Sequence, residues 1–161
     1  MERLTVKSPA SPAVSITREA VKSDKLVYIA VANKPTPYLH ARSCIVYIGT
    51  TKNGAHRMAA SAAAKAQEML DLHGVKQLDF YAVTCRSRQN VQTWRKLERG
   101  LLLAFKHVYG EVPVCNSQGK NMRWTDEQKY FSRTRLESVI AQYSDLTFGP
   151  KALRGSSKFR N

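Results

Sequence analysis

Two short apolar runs set the first constraint on how this chain can fold. Leu26-Val27-Tyr28-Ile29-Ala30-Val31 and Cys44-Ile45-Val46-Tyr47-Ile48-Gly49 are rich in β-branched and aromatic residues, and Asn33, Pro35 and Pro37 lie between them. Runs of this length and composition read as strands, and the prolines stiffen what joins them, so an antiparallel hairpin with a long loop over residues 32–43 is expected. Side chains alternate along a strand. Val27, Ile29 and Val31 therefore share one face, as do Cys44, Val46 and Ile48, and Tyr28 and Tyr47 turn to the opposite faces of their strands. If the apolar trios meet one core, the two phenols share the other side of the sheet.

Beyond the hairpin, helix alternates with strand. Residues 55–70 are dominated by Ala and other good helix formers, and Gly74 is a plausible stop. Residues 78–84 read as a third strand, and a long helix is expected from about Gln89 to Tyr109, ended by Gly110. A last helix is expected to begin at Thr125, with Gln128 completing a capping box and Phe131, Leu136, Val139, Ile140 and Tyr143 along one side. The expected fold class is α/β (α+β): a small, three-stranded, mainly antiparallel sheet flanked by helices, with an extra C-terminal helix. Residues 1–24, with Ser8-Pro9-Ala10-Ser11-Pro12, read as an N-terminal extension, 25–123 as the folded domain, and 124–161 as a C-terminal helix and basic tail.

Charge narrows the partner. Lys and Arg number 26 against 12 Asp and Glu, a formal charge of +14 on 161 residues, which points to a polyanion, with nucleic acid first. No apolar stretch approaches the ~20 residues needed to cross a bilayer, and the N-terminus shows no apolar signal segment, so neither a membrane partner nor secretion is expected. Cys44, Cys85 and Cys115 are too widely spaced for a disulfide framework or a zinc motif and read as reduced thiols of an intracellular protein, cytoplasmic or nucleoid-associated.

The long helix holds one anomaly. At ~100° per residue, Trp94, Leu97, Leu101, Leu102 and Phe105 cluster around Glu98, which stands where another Leu would be expected. An ionised carboxylate there costs several kcal/mol unless a cation or hydrogen bonds compensate it. Either a base such as Arg57 or Arg95 pairs with it, or it serves a metal or catalytic role.

Tyr28 in Leu26-Val27-Tyr28, Tyr47-Ile48-Gly49, Arg57, Glu98 and Asn116 in Pro113-Val114-Cys115-Asn116 together resemble the motif set of the GIY-YIG endonuclease family. Gly49 and Arg57 are eight residues apart, and the resemblance runs from about Leu26 to Gly119, with Leu26 in place of the family's first Gly. The resemblance implies a metal-dependent DNA endonuclease that hydrolyses phosphodiester bonds by nicking or by dimeric double-strand cleavage. Its catalytic set would be Tyr28, Tyr47, Arg57, Glu98 and Asn116, with Lys52 and His56 supporting and Glu98 as the metal ligand. The ion would be Mg²⁺, with Mn²⁺ as the alternative. Tyr28 would act as general base or water-orienting group and Tyr47 would support it. Asn116 would brace the loop or a phosphate. Arg86, Arg88, Arg95, Lys96 and Arg99, with Lys151 and Arg154 of the tail, are candidates to track a DNA backbone. The rival reading is a basic nucleic-acid-binding protein without catalysis; composition alone does not separate the two.

Overall fold

The computed structural model describes residues 24–86, 88–119 and 121–145. Three strands form one sheet, β1 (Leu26–Pro37), β2 (Arg42–Thr51) and β3 (Leu78–Val83), in the order β2-β1-β3 with β1 antiparallel to both neighbours. Leu26 through Ala32 of β1 are at most 2% exposed, because this central stretch is covered on both faces. On one face Val27, Ile29 and Val31 meet Leu97, Leu101 and Phe105 of α2 (Thr93–Tyr109) and Leu136 and Ile140 of α3 (Arg133–Ser144). On the other, Tyr28, Ala30 and Ala32 meet Met58 and Met69 of α1 (Gly54–Leu70). The molecule is a small α+β fold, a mainly antiparallel sheet between helices with a further helix at the C-terminal end. Among the described residues no helix is long and apolar enough to cross a membrane.

Strand alternation holds along β1 and breaks in β2. Ala30 stands opposite Tyr47 and Val31 opposite Ile45, so Val46 is an extra residue, a β-bulge. The bulge turns Val46 toward Ala30 and Met69 on the α1 side, while Cys44 and Ile48 stay with α2. Cys44, Val46 and Ile48 therefore do not share a face, contrary to simple alternation. Tyr28 and Tyr47 do lie together on the α1 side, ring centroids 5.9 Å apart.

The expected long hairpin loop is mostly strand. β1 continues through Pro37, with Thr36 opposite Ser43, and only residues 38–41 turn, closed by the Tyr38 N–H donating to the Ala41 carbonyl at 2.8 Å. β3 stops beside Ala32, so Pro35 and Pro37 fall where β1 has no third-strand partner and the missing N–H costs nothing there. The start of α2 also differs from expectation. Asn90 adopts φ 58° in a turn that brings Arg88 opposite Val91, a conformation no helix contains, and the helix begins at Thr93.

The C-terminal helix is displaced for an electrostatic reason. Thr125 does not cap it: the Glu127 carboxylate folds back to accept from the Thr125 N–H at 2.9 Å and from its hydroxyl, and is wholly buried. A single 3₁₀ turn, Glu127–Lys129, results, and α3 starts only after Ser132, whose hydroxyl accepts from the Arg135 N–H at 3.2 Å.

Candidate functional site

Three local choices bring the site together at the Leu26 end of the sheet. Gly54, at φ 67°, opens α1 and donates its N–H to the Asp24 carbonyl at 2.7 Å, which ties the first helical turn to the start of β1. α2 runs the other way, ending at the hairpin turn where the Tyr109 carbonyl accepts from the His40 N–H at 3.1 Å, so Glu98 lies toward the Leu26 end. The third choice is Gly49. A Cβ at that position would stand 2.6 Å from Tyr47 Cε1 and 2.8 Å from both Cζ and the hydroxyl oxygen of Tyr28, so the two rings lie directly over this glycine.

The phenols form a pair with unequal access to solvent. Tyr28 is 2% exposed, whereas Tyr47 is half-buried. Burial pushes the Tyr47 hydroxyl well above the usual phenol range, and its neighbour Tyr28, the hydrogen bond between them and the nearby Glu98 and Glu68 carboxylates add to the rise. The Lys65 ammonium lies over the Tyr47 ring, 5.8 Å from its centre.

Glu98 is the least compensated carboxyl near this pair. It is half-buried, and among the described residues no cation stands within ion-pair distance of it. Burial pushes it up from 4.5 to about 7, against a weaker pull from Arg95, one helical turn earlier. Neither Arg57 nor Arg95, the bases named as one of the two alternatives from the sequence, pairs with it. A carboxyl in this condition fits a cation from outside the chain, with water and phosphate oxygens completing the shell of a hard ion such as Mg²⁺. Among the described residues no three His, Cys, Asp or Glu side chains gather into a metal cluster, so Glu98 would hold the ion as the chain's single carboxylate.

Asn116 does something more specific than the sequence indicates. Its side-chain amide grips one residue of β2, accepting from the Ile48 N–H at 2.9 Å and donating to the Ile48 carbonyl at 2.8 Å. One residue earlier the Cys115 N–H donates to the Val46 carbonyl at 3.0 Å. Together they seal the open edge of β2 beside Tyr47 and Gly49, and leave Asn116 engaged with backbone.

The remaining candidates divide. Arg57 is exposed on the first turn of α1, beside Met58, which packs against Tyr28 and Leu26; among the described residues its guanidinium makes no hydrogen bond or ion pair. Lys52 is exposed between β2 and α1. The side chain of His56, and Lys151 and Arg154 of the tail, lie outside the described residues. Arg86, Arg88 and Arg95 are exposed. Lys96 and Arg99 are engaged within the molecule, Lys96 with Asp126 at 2.6 Å and Arg99 with the buried Glu127 at 2.6 Å and the Arg123 carbonyl. Gly49 is the residue whose importance sequence reasoning left unstated; its place in Tyr47-Ile48-Gly49, two residues after a phenol on the same face, was the available signal. Cys44 and Cys115 are buried and pushed up to about 11, which leaves them inert as nucleophiles. No protein-family model, curated protein or solved structure matches the chain.

Proposed function

We propose that the protein is a metal-dependent endonuclease that hydrolyses phosphodiester bonds in DNA, with a site resembling that of the GIY-YIG nucleases. The observation that carries this reading is Glu98, a half-buried carboxyl that no described cation neutralises, within electrostatic range of a hydrogen-bonded phenol pair. A structural carboxylate in an apolar stripe is ordinarily compensated by its own chain, so an uncompensated one suits a ligand with positive charge.

Each group then has a role set by its surroundings. Tyr47 keeps its proton at neutral pH and is the more accessible phenol, so it, rather than the buried Tyr28 to which the resemblance gave that role, orients a water. Arg57 presents a planar fork suited to non-bridging phosphate oxygens as they gain charge. Asn116 positions by holding the β2 edge on which Tyr47 stands. A cation held by Glu98 would supply positive charge against the phosphate and would lower the cost of forming hydroxide from water.

Nicking of supercoiled plasmid, with Mg²⁺ or with chelator, tests the reading. Wild-type protein is expected to nick only with the ion, and Glu98→Gln to lose nicking while still binding DNA. Equal nicking by wild type and Glu98→Gln would remove the metal seat. Binding without nicking under any divalent ion would leave the non-catalytic nucleic-acid-binding protein as the answer.

A further inference from the structure

The region around the N-terminal half of α2 has a feature that neither the phenol pair nor Glu98 explains. Apart from Glu98, its carboxylates at Asp126 and Glu127 are held by Lys96 at 2.6 Å and Arg99 at 2.6 Å, and Glu137 of α3 is held by Arg133 at 2.8 Å. The cations left over are exposed: Arg86, Arg88, Arg95, Arg123, Lys129 and Arg135, none with a carboxylate in ion-pair range among the described residues. The acids here are used to build the surface, and the surplus positive charge faces solvent.

These cations are contiguous through contacts. Arg88 lies over the Tyr130 ring, 6.0 Å from its centre, which brings the turn before α2 against the 3₁₀ turn. Tyr130 donates its N–H to the Glu127 carbonyl at 3.0 Å, and Glu127 pairs with Arg99. Arg99 donates to the Arg123 carbonyl at 2.6 Å, and Arg95 stands one helical turn before Arg99 on the same side of α2. Arg123 and Arg99 also line a shallow cleft with Ser117, Gln118, Asn121 and Thr125, a continuation of the loop that starts at Asn116. α3, which follows this segment, buries Leu136 and Ile140 in the main core.

We infer that this surface, built from the turn before α2, the exposed side of α2 and the segment from Arg123 to Arg135, is a seat for the phosphate backbone of duplex DNA flanking the scissile site. Lys96 and Arg99 are its internal bolts and Arg88, Arg95 and Arg123 its principal phosphate contacts. The chemistry on offer is charge with hydroxyl and amide groups, and the aromatic rings of the segment are already engaged, Trp124 and Phe131 packed against the main core and Tyr130 under Arg88, so it suits a backbone better than stacked single-stranded bases. The identity of the partner rests on the nuclease reading; the surface itself does not.

Binding of a fluorescent DNA duplex in chelator, followed over a salt series, tests this without catalysis. Arg88→Ala/Arg95→Ala/Arg123→Ala is expected to bind roughly 100-fold more weakly at physiological salt, with the log K against log[salt] slope shallower by about 3. The lysine version of the same triple is expected to keep the slope, since phosphate tracking needs charge and not the guanidinium fork. Lys34→Ala/Arg42→Ala/Lys76→Ala, which removes equal charge at the opposite end of the sheet, is expected to shift affinity only a few-fold. Equal losses in the two alanine triples would overturn the seat in favour of diffuse attraction, as would unchanged binding in the first. Tighter binding of an RNA duplex of the same length would overturn DNA as the partner. Wild-type binding that meets these expectations without nicking in Mg²⁺ sinks the nuclease reading and leaves the seat standing. Nicking that survives unchanged in the first triple does the reverse.

Discussion

Gly49 and Arg57 illustrate how unequally single residues of the site are constrained. A methyl on Gly49 meets Tyr47 Cε1 at 2.6 Å and the Tyr28 hydroxyl at 2.8 Å, and the buried Tyr28 ring packs against Met58 and Phe80. With Tyr28 enclosed, Gly49→Ala is expected to destabilise the fold by about 1–3 kcal/mol, the usual cost of overpacking, and to abolish nicking by parting the phenols. Urea unfolding and near-ultraviolet dichroism of the tyrosines measure both effects. Arg57 is the opposite case. It is exposed and its guanidinium makes no hydrogen bond or ion pair among the described residues, so Arg57→Ala is expected to leave the unfolding midpoint unchanged. On the proposed function it lowers kcat by about 100-fold or more while changing substrate affinity little, because its fork matters as charge develops. Single-turnover kinetics set against binding separate the two, and a loss confined to binding would place Arg57 outside the chemistry. Tyr28 was legible from strand alternation and Glu98 from a charge in an apolar stripe, whereas Tyr47 shares the side of Tyr28 although the alternation expected for β2 fails at Val46. That Asn116 clamps Ile48 was not, because a side-chain bond across 68 positions leaves no local pattern.

At the scale of elements, what could be read depended on whether local or distant forces set the boundary. The span of α1 comes from its Ala-rich run and opening glycine, and the end of α2 from Gly110 at φ 85°, both local signals. α3 was misplaced because Thr125 and Gln128 resemble a capping box, while the burial of Glu127 against Arg99, 28 positions away, decides the matter. The β2 bulge was likewise invisible, since inserting Val46 changes no composition, only the register against β1. Two substitutions test the helix start directly. Ser132→Ala is expected to cost about 1 kcal/mol by removing the acceptor for the Arg135 N–H, and Gln128→Ala to cost almost nothing, because that side chain is exposed. Reversed magnitudes in denaturant unfolding would restore the capping box. For the β2 edge, Asn116→Ala is expected to raise the hydrogen-exchange rate of the Ile48 amide by about tenfold or more, with Ile29, which is paired in mid-sheet, unaffected.

For the molecule as a whole, the buried Glu127 and the half-buried Glu98 pull stability in opposite directions with pH. Burial raises Glu127, but the Thr125 and Glu127 N–H groups, the Thr125 hydroxyl and Arg99 more than offset it, so its net acidity lies below the usual carboxylate range. A depressed folded-state value stabilises above the unfolded value and is lost as pH falls through the folded one, so Glu127 weakens the fold on acidification. Glu98 has the other sign. Raised to about 7, it binds its proton in the folded state through a window where the unfolded chain has released it, so stability falls as pH climbs from about 4.5 to about 7. The full loss amounts to about 2–3 kcal/mol once partial solvent access is allowed for. In chelator, wild-type stability is therefore expected to peak on the acid side of neutrality, and Glu98→Gln to flatten the descent toward pH 8 without altering the acid limb. Mg²⁺ should restore part of the loss above pH 7 in the wild type, by mass action on a filled seat, and do nothing for Glu98→Gln. Thermal melts across pH, with and without the ion, supply all four curves. Parallel descent in the two proteins would mean that Glu98 ionises as freely as a surface carboxylate, and an uncompensated charge would no longer be available to draw a cation to the phenol pair.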